Sequence, residues 1–116
     1  MTLSLAHITF DCTDAAELAG FWSALLDKPV DPKASAEFAT VGMGASMAPA
    51  LMFIQVPDKN PGKNVIHMDL HSPDYEGAVQ RAIGLGAKHI GDFDEYGAKW
   101  STLADPEGNL FDIGAE

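Results

Sequence analysis

The chain is one motif written twice. His7 and His67 lie 60 residues apart, and Asp14 and Asp74 share that offset. Each half reads strand–helix–strand–strand–strand. One such unit alone leaves a face of its sheet uncovered, so the repeat predicts an α+β fold of two modules used together. We assign residues 1–57 to the first module and 64–116 to the second. The polar, turn-rich Pro57-Asp58-Lys59-Asn60-Pro61-Gly62-Lys63 joins them. At 116 residues the pair makes a single domain with a core and little room for insertions.

Within the first half, Leu5 to Asp11 alternates. Ala6, Ile8 and Phe10 share one face of the predicted strand, and His7, Thr9 and Asp11 the other. Thr13 or Asp14 starts a helix, Asp14 and Glu17 having capping-box spacing. Leu18, Phe21, Trp22, Leu25 and Leu26 give it an apolar stripe, and Pro29 ends it. Strands are predicted over Glu37 to Val41 and Ala50 to Val56, with a loop rich in glycine and methionine between them.

The second half repeats the pattern. Asn64 to His71 places Ile66, Met68 and Leu70 on one face and His67, Asp69 and His71 on the other. Ser72-Pro73-Asp74 reads as a helix start with Ser72 as cap, and Gly86 as the stop. Lys88 to Phe93, Ala98 to Leu103 and Asn109 to Ile113 are strand-like. Asp105-Pro106-Glu107-Gly108 is strong turn chemistry feeding the last strand. In that strand Phe111 and Ile113 face one way, Leu110 and Asp112 the other. A carboxylate amid apolar residues needs a partner, and His7 and His67 are the candidates.

Charge narrows the partners. Seventeen acidic against 7 basic residues leave a net charge of −10, which repels phosphate backbones and anionic lipid and attracts cations. We therefore expect a small-molecule ligand, with no nucleic acid and no membrane as partner. Cys12 is the single cysteine, so no intrachain disulfide can form. The first residues lack a basic region followed by a long apolar run, and we expect a cytoplasmic protein.

A His-headed strand followed seven residues after the His by Asp14, a helix carrying Phe21-Trp22, a second His-headed half and a terminal Asp-Pro-Glu-Gly-Asn-Leu-Phe-Asp together resemble the vicinal oxygen chelate superfamily. The likeness extends to the bacterial glyoxalase-like domains, through runs such as Ala19-Gly20-Phe21-Trp22-Ser23 and Lys63-Asn64-Val65-Ile66-His67-Met68-Asp69-Leu70. The resemblance implies two beta-alpha-beta-beta-beta modules forming a curled mixed sheet around a cavity, often completed across a homodimer. It also implies metal ligands on the first and last strands of each module. Carried over, these are His7, His67 and Asp112, with either Met52 or Ile54 at the fourth position. Neither is a good ligand for a hard or borderline metal. Gln55 falls on the opposite face of that strand unless a bulge re-aims it.

Two imidazoles and a carboxylate suit Fe, Zn, Ni or Mn as a divalent ion with open positions for ligand oxygens. Asp69 shares the face of His67. It would either orient a histidine, act as a catalytic acid/base, or simply bond to backbone or lysine. Tyr96 and Trp100 are expected to line the ligand pocket. Glyoxalase I chemistry needs a carboxylate base near the position held here by Met52 or Ile54, which counts against that activity. The resemblance thus implies a metal-dependent lyase, isomerase or dioxygenase. The alternative is a metal-free protein of bleomycin-resistance type, sequestering a cationic or aromatic metabolite or antibiotic.

Overall fold

The computed structural model describes residues 5–57, 67–95 and 97–115. Most of the connector, the predicted strand start at Asn64 to Ile66, and Tyr96 lie outside the described residues. The elements are β1 (His7–Cys12), α1 (Ala15–Leu26), β2 (Phe38–Val41), β3 (Ala50–Gln55), β4 (Met68–Ser72), α2 (Tyr75–Leu85), β5 (Lys88–Glu95), β6 (Ala98–Ala104) and β7 (Leu110–Ala115). They fall into two units, Met1–Asn60 and Pro61–Glu116. The architecture is α+β, with one open mixed sheet in each unit. No helix among the described residues is long and apolar enough to cross a membrane.

The first unit carries a three-stranded sheet in the order β1-β3-β2, with β1 parallel and β2 antiparallel to β3. The further strand expected by analogy with the second half is reduced to one bridge, Val30 to Val41. Pro29 and Pro32 flank Val30 and lack the N–H groups that would extend a ladder. Asp14 caps α1, its carboxylate accepting from the Glu17 N–H at 3.2 Å. The helix buries Leu18, Phe21 and Trp22. Trp22 lies edge-on to Phe21 and 5.6 Å from Phe10, which stacks on Phe53 at 5.0 Å. The alternation read from β1 is thus what delivers Phe10 to the helix side.

Asp31 ties the loop after β2 to the sheet. Its carboxylate accepts from the Thr40 hydroxyl at 2.7 Å and from the N–H groups of Met43 and Gly44 at 2.9 and 2.8 Å. Burial alone raises this carboxyl, but the Thr40, Gly44 and Met43 hydrogen bonds outweigh it and hold it below its ordinary 3.8. A depressed folded-state value stabilises the protein above the unfolded value, and that stabilisation is lost as pH falls through the folded one. The stability gap between wild type and Asp31→Asn should therefore narrow between about pH 5 and about pH 3 in urea titrations. A constant gap would refute the assignment.

The second unit carries four strands in the order β4-β7-β6-β5, parallel between β4 and β7 and antiparallel elsewhere. Its core lies between the sheet and α2, where Val79, Ala82, Leu103, Phe111 and Ile113 are buried. The residue capping α2 is Asp74, not Ser72. The β4–β7 ladder runs on to the Ser72–Ala115 pair, which keeps Ser72 extended as a strand residue. Its hydroxyl accepts from the Asp74 N–H, and Asp74 in turn accepts from the Gly77 N–H at 3.1 Å. A side chain at position 77 would collide with the Asp74 carboxylate, so glycine there makes room for the cap. Asp74→Ala should cost about 1 kcal/mol in denaturant unfolding, and an unchanged midpoint would show that the cap contributes nothing.

Candidate metal and ligand site

Register builds the site. Asp69 on β4 pairs with Asp112 on β7, and Asp112 pairs with Thr102 on β6. Side chains at paired positions share a face, so these three form a row across the sheet. Phe111, Ile113 and Leu103 go to the opposite, helix-covered face, as the alternation around Asp112 predicts. His67 stands two residues before Asp69 and adds an imidazole to the row. Its Nδ1 is 3.3 Å from Asp69 Oδ1 and 3.7 Å from Asp112 Oδ2.

One ligand atom from each of His67, Asp69 and Asp112 lies within 4.8 Å of the others. Asp112 is the most enclosed of the three, its side chain 19% exposed against 48% and 68% for His67 and Asp69. The Thr102 hydroxyl donates to Asp112 Oδ1 at 2.6 Å. That bond answers the question raised by a carboxylate in an apolar strand, and it leaves Oδ2 on the His67 side. An imidazole and two carboxylates are ordinary donors for zinc, iron, nickel or manganese, so the residues present fit a divalent ion.

The cluster closes the polar end of a pocket of about 360 Å³, where His67, Thr102 and Asp112 contribute. Ile90, Phe93, Trp100 and Leu110 make its apolar wall. Phe93 and Trp100 are cross-strand partners whose rings stack at 5.4 Å with planes 20° apart. Trp100 lines this cavity together with Phe93 and Ile90, which the sequence by itself did not single out.

The reason is a bulge. The β5–β6 register shifts between His89 and Gly91, so His89 pairs with Leu103 while Gly91 pairs with Thr102. Strict alternation puts His89, Gly91 and Phe93 on one face, but the bulge turns Gly91 and Phe93 to the pocket and leaves His89 behind. On that reverse face the Ser101 hydroxyl donates to Asp92 Oδ1 at 2.5 Å, and His89 Nε2 approaches the same oxygen at 2.8 Å. The Ser101 and His89 hydrogen bonds hold the Asp92 carboxyl below its ordinary range. The Tyr75 hydroxyl completes the chain at 2.5 Å from Ser101 Oγ. This network pins α2 and the bulged hairpin together behind the stacked rings.

In the first unit, His7 opens β1 opposite Ala50. There Thr9 pairs with Met52 as Asp69 pairs with Asp112 in the second unit. His7 precedes Met52 by 45 residues, as His67 precedes Asp112, so register selects Met52 over Ile54 as the equivalent of Asp112. The first unit accordingly has Thr9 and Met52 where the second has two carboxylates. Gln55 keeps regular register opposite Cys12, and its amide donates to the Thr13 carbonyl at 2.9 Å. With no bulge there, it stays on the face away from Met52. The structure thus brings His67, Asp69 and Asp112 together, while His7 is carried by the first unit.

Solved structures of the same fold are numerous. A glyoxalase/bleomycin resistance/dioxygenase family enzyme from Burkholderia phytofirmans PsJN is 17% identical, with a TM-score of 0.80 over 97% of this chain and 98% of that one. The fosfomycin resistance protein FosX from Listeria monocytogenes is 14% identical, with a TM-score of 0.76 over 100% of this chain and 95% of that one. A glyoxalase-related enzyme from Fulvimarina pelagi is 14% identical, with a TM-score of 0.75 over 99% and 89%. Likeness at these identities bears on the fold. No curated protein sequence matches this one. The sequence does match the glyoxalase-like domain over residues 7–114, nearly its whole length. The paired modules, their strand order and that match together make this chain a member of the glyoxalase-like domain family, within the vicinal oxygen chelate superfamily.

Proposed function

We propose that this chain is a glyoxalase-like small-molecule protein using His67 and Asp112 to hold a divalent metal, and that it works as a lyase, isomerase or dioxygenase on a metabolite bound through oxygen. The observation carrying this reading is the meeting of one imidazole and two carboxylates, with His67 and Asp112 of the three lining the polar end of an otherwise apolar pocket. A bound ion would polarise a ligand oxygen as a Lewis acid. The chain's own groups do the rest. Thr102 orients Asp112, and Asp69, the most exposed of the three, takes or returns a proton at its carboxylate oxygen. Phe93 and Trp100 hold the apolar part of the ligand and keep water from that wall. Glyoxalase I activity is not part of the proposal, because Met52 cannot take a proton.

The second reading is metal-free sequestration of a cationic or aromatic metabolite or antibiotic. The aromatic wall and the net charge of −10 favour it. Elemental mass spectrometry of untagged protein, before and after reconstitution, separates the two. Near-stoichiometric metal that disappears in His67→Ala supports the first. Failure to take up zinc, iron(II), nickel or manganese would leave the second. His7→Ala belongs in the same series, since the family likeness implies a ligand role for it.

A further inference from the structure

We infer that the ligand of this pocket has a flat aromatic body of one or two fused rings, laid along the Phe93–Trp100 stack, with an oxygen at the edge nearest His67 and Asp112. This rests on the reading of the pocket as a small-molecule site and specifies what that site accepts.

Three observations carry it. The wall is a ready-made stack: two nearly parallel rings on adjacent strands, one of them, Phe93, 40% exposed. A third flat ring extends such a stack, whereas a saturated ring of equal size gains only apolar contact. The backbone beside the stack leaves the Phe93 ring room to lie flat. Gly91 has no side chain, and a Cβ there would sit 3.4 Å from Phe93 Cε2 and Cζ, so the Phe93 ring leans over the bare backbone. The bulge that swings Phe93 to this face also brings Ile90, itself 51% exposed, to the mouth of the pocket. A bulge held from behind by Ser101, Asp92 and His89 therefore presents apolar surface to solvent where a strand edge would ordinarily be polar.

Polarity fixes the orientation. The polar lining is confined to His67, Thr102 and Asp112, with no lysine or arginine among the described lining residues. An anionic ring would face a carboxylate unaided, so the ligand is neutral or cationic, or presents its oxygen to a metal held there. A volume of about 360 Å³ suits a body of one or two rings.

The test compares 2-naphthol with decahydro-2-naphthol, which share a hydroxyl and a carbon skeleton but differ in flatness. Affinities are measured by calorimetry on metal-free and zinc-loaded full-length protein, wild type, Trp100→Leu and Phe93→Leu. Wild type should prefer the flat compound roughly three- to tenfold, and the preference should vanish in Trp100→Leu. Phe93→Leu guards against a folding artefact in the first variant and should reduce the preference as well. Equal affinities in wild type, a preference surviving in both variants, or no binding of either compound at millimolar concentration would each overturn the inference. Zinc uptake is titrated separately. Its absence would refute the metal reading and leave the flat-ring preference, read in metal-free protein, to stand or fall by itself.

Discussion

Asp112→Ala should weaken binding of zinc or manganese at least a hundredfold, while its neighbour Thr102→Val weakens it roughly tenfold. The difference follows from what each residue does. Asp112 offers the most enclosed oxygen of the cluster, 3.7 Å from His67 Nδ1. Removing it leaves His67 without the second proposed ligand. Thr102 supplies no ligand atom but fixes the Asp112 carboxylate through its 2.6 Å hydrogen bond. Losing that bond lets the carboxylate rotate and leaves its inner oxygen without a donor. Thr102→Ser, which keeps the hydroxyl, should restore most of the affinity, a result that a packing role for Thr102 would not produce. Competitive titration against a fluorescent chelator reads all three variants. Wild-type affinity in Asp112→Ala would remove that residue from the site.

Asp105→Ala should cost about 3 kcal/mol of stability, lowering Tm by roughly 10 °C or more. Asp105 is buried, 4% exposed, and its carboxylate organises the turn between β6 and β7. Its Oδ1 accepts from the N–H groups of Glu107 and Asn109, both at 2.9 Å, and the Asn109 amide donates to both oxygens. The backbone closes the same turn, with Gly108 N–H donating to the Asp105 carbonyl at 2.8 Å and Asn109 accepting from the Asp105 N–H at 2.9 Å. Gly108 sits at φ 86, a left-handed conformation that glycine adopts without strain. Alanine at 105 deprives several donors of their acceptor at once. Asp105→Asn keeps one acceptor oxygen and should lose less. Because this turn sets the entry of β7, a destabilised variant should also bind metal more weakly through displaced Asp112. Calorimetric unfolding within about 0.5 kcal/mol of wild type would refute the role.

Much of the scaffold was legible from local chemistry. The alternation of β1, β4 and β7, the Asp14 cap and the Asp105–Gly108 turn all rest on interactions spanning a few residues, so short sequence windows carry them, while the 60-residue repeat shows in the spacing of His7 and His67. The face shared by His67 and Asp69, and the inward face of Asp112, follow from the same period of two. Where prediction failed, a longer-range interaction had intervened. Ser72 stays in β4 because β7 pairs with it, which moves the cap to Asp74. The fourth strand that the repeat implies for the first half is a single bridge from Val30 to Val41.

The site divides in the same way. By itself the sequence determined which residues could ligate and which face of its own strand each would take. Tertiary structure decided which of them meet. Pairing of β4 with β7 brought Asp69 beside Asp112, and the β1–β3 register singled out Met52 from Ile54. The bulge in β5 sent Phe93 to the pocket and His89 away from it. Alternation is a property of one strand and holds only while its ladder is regular. Register and bulges belong to a pair of strands, and no single strand's sequence encodes its partner's offset.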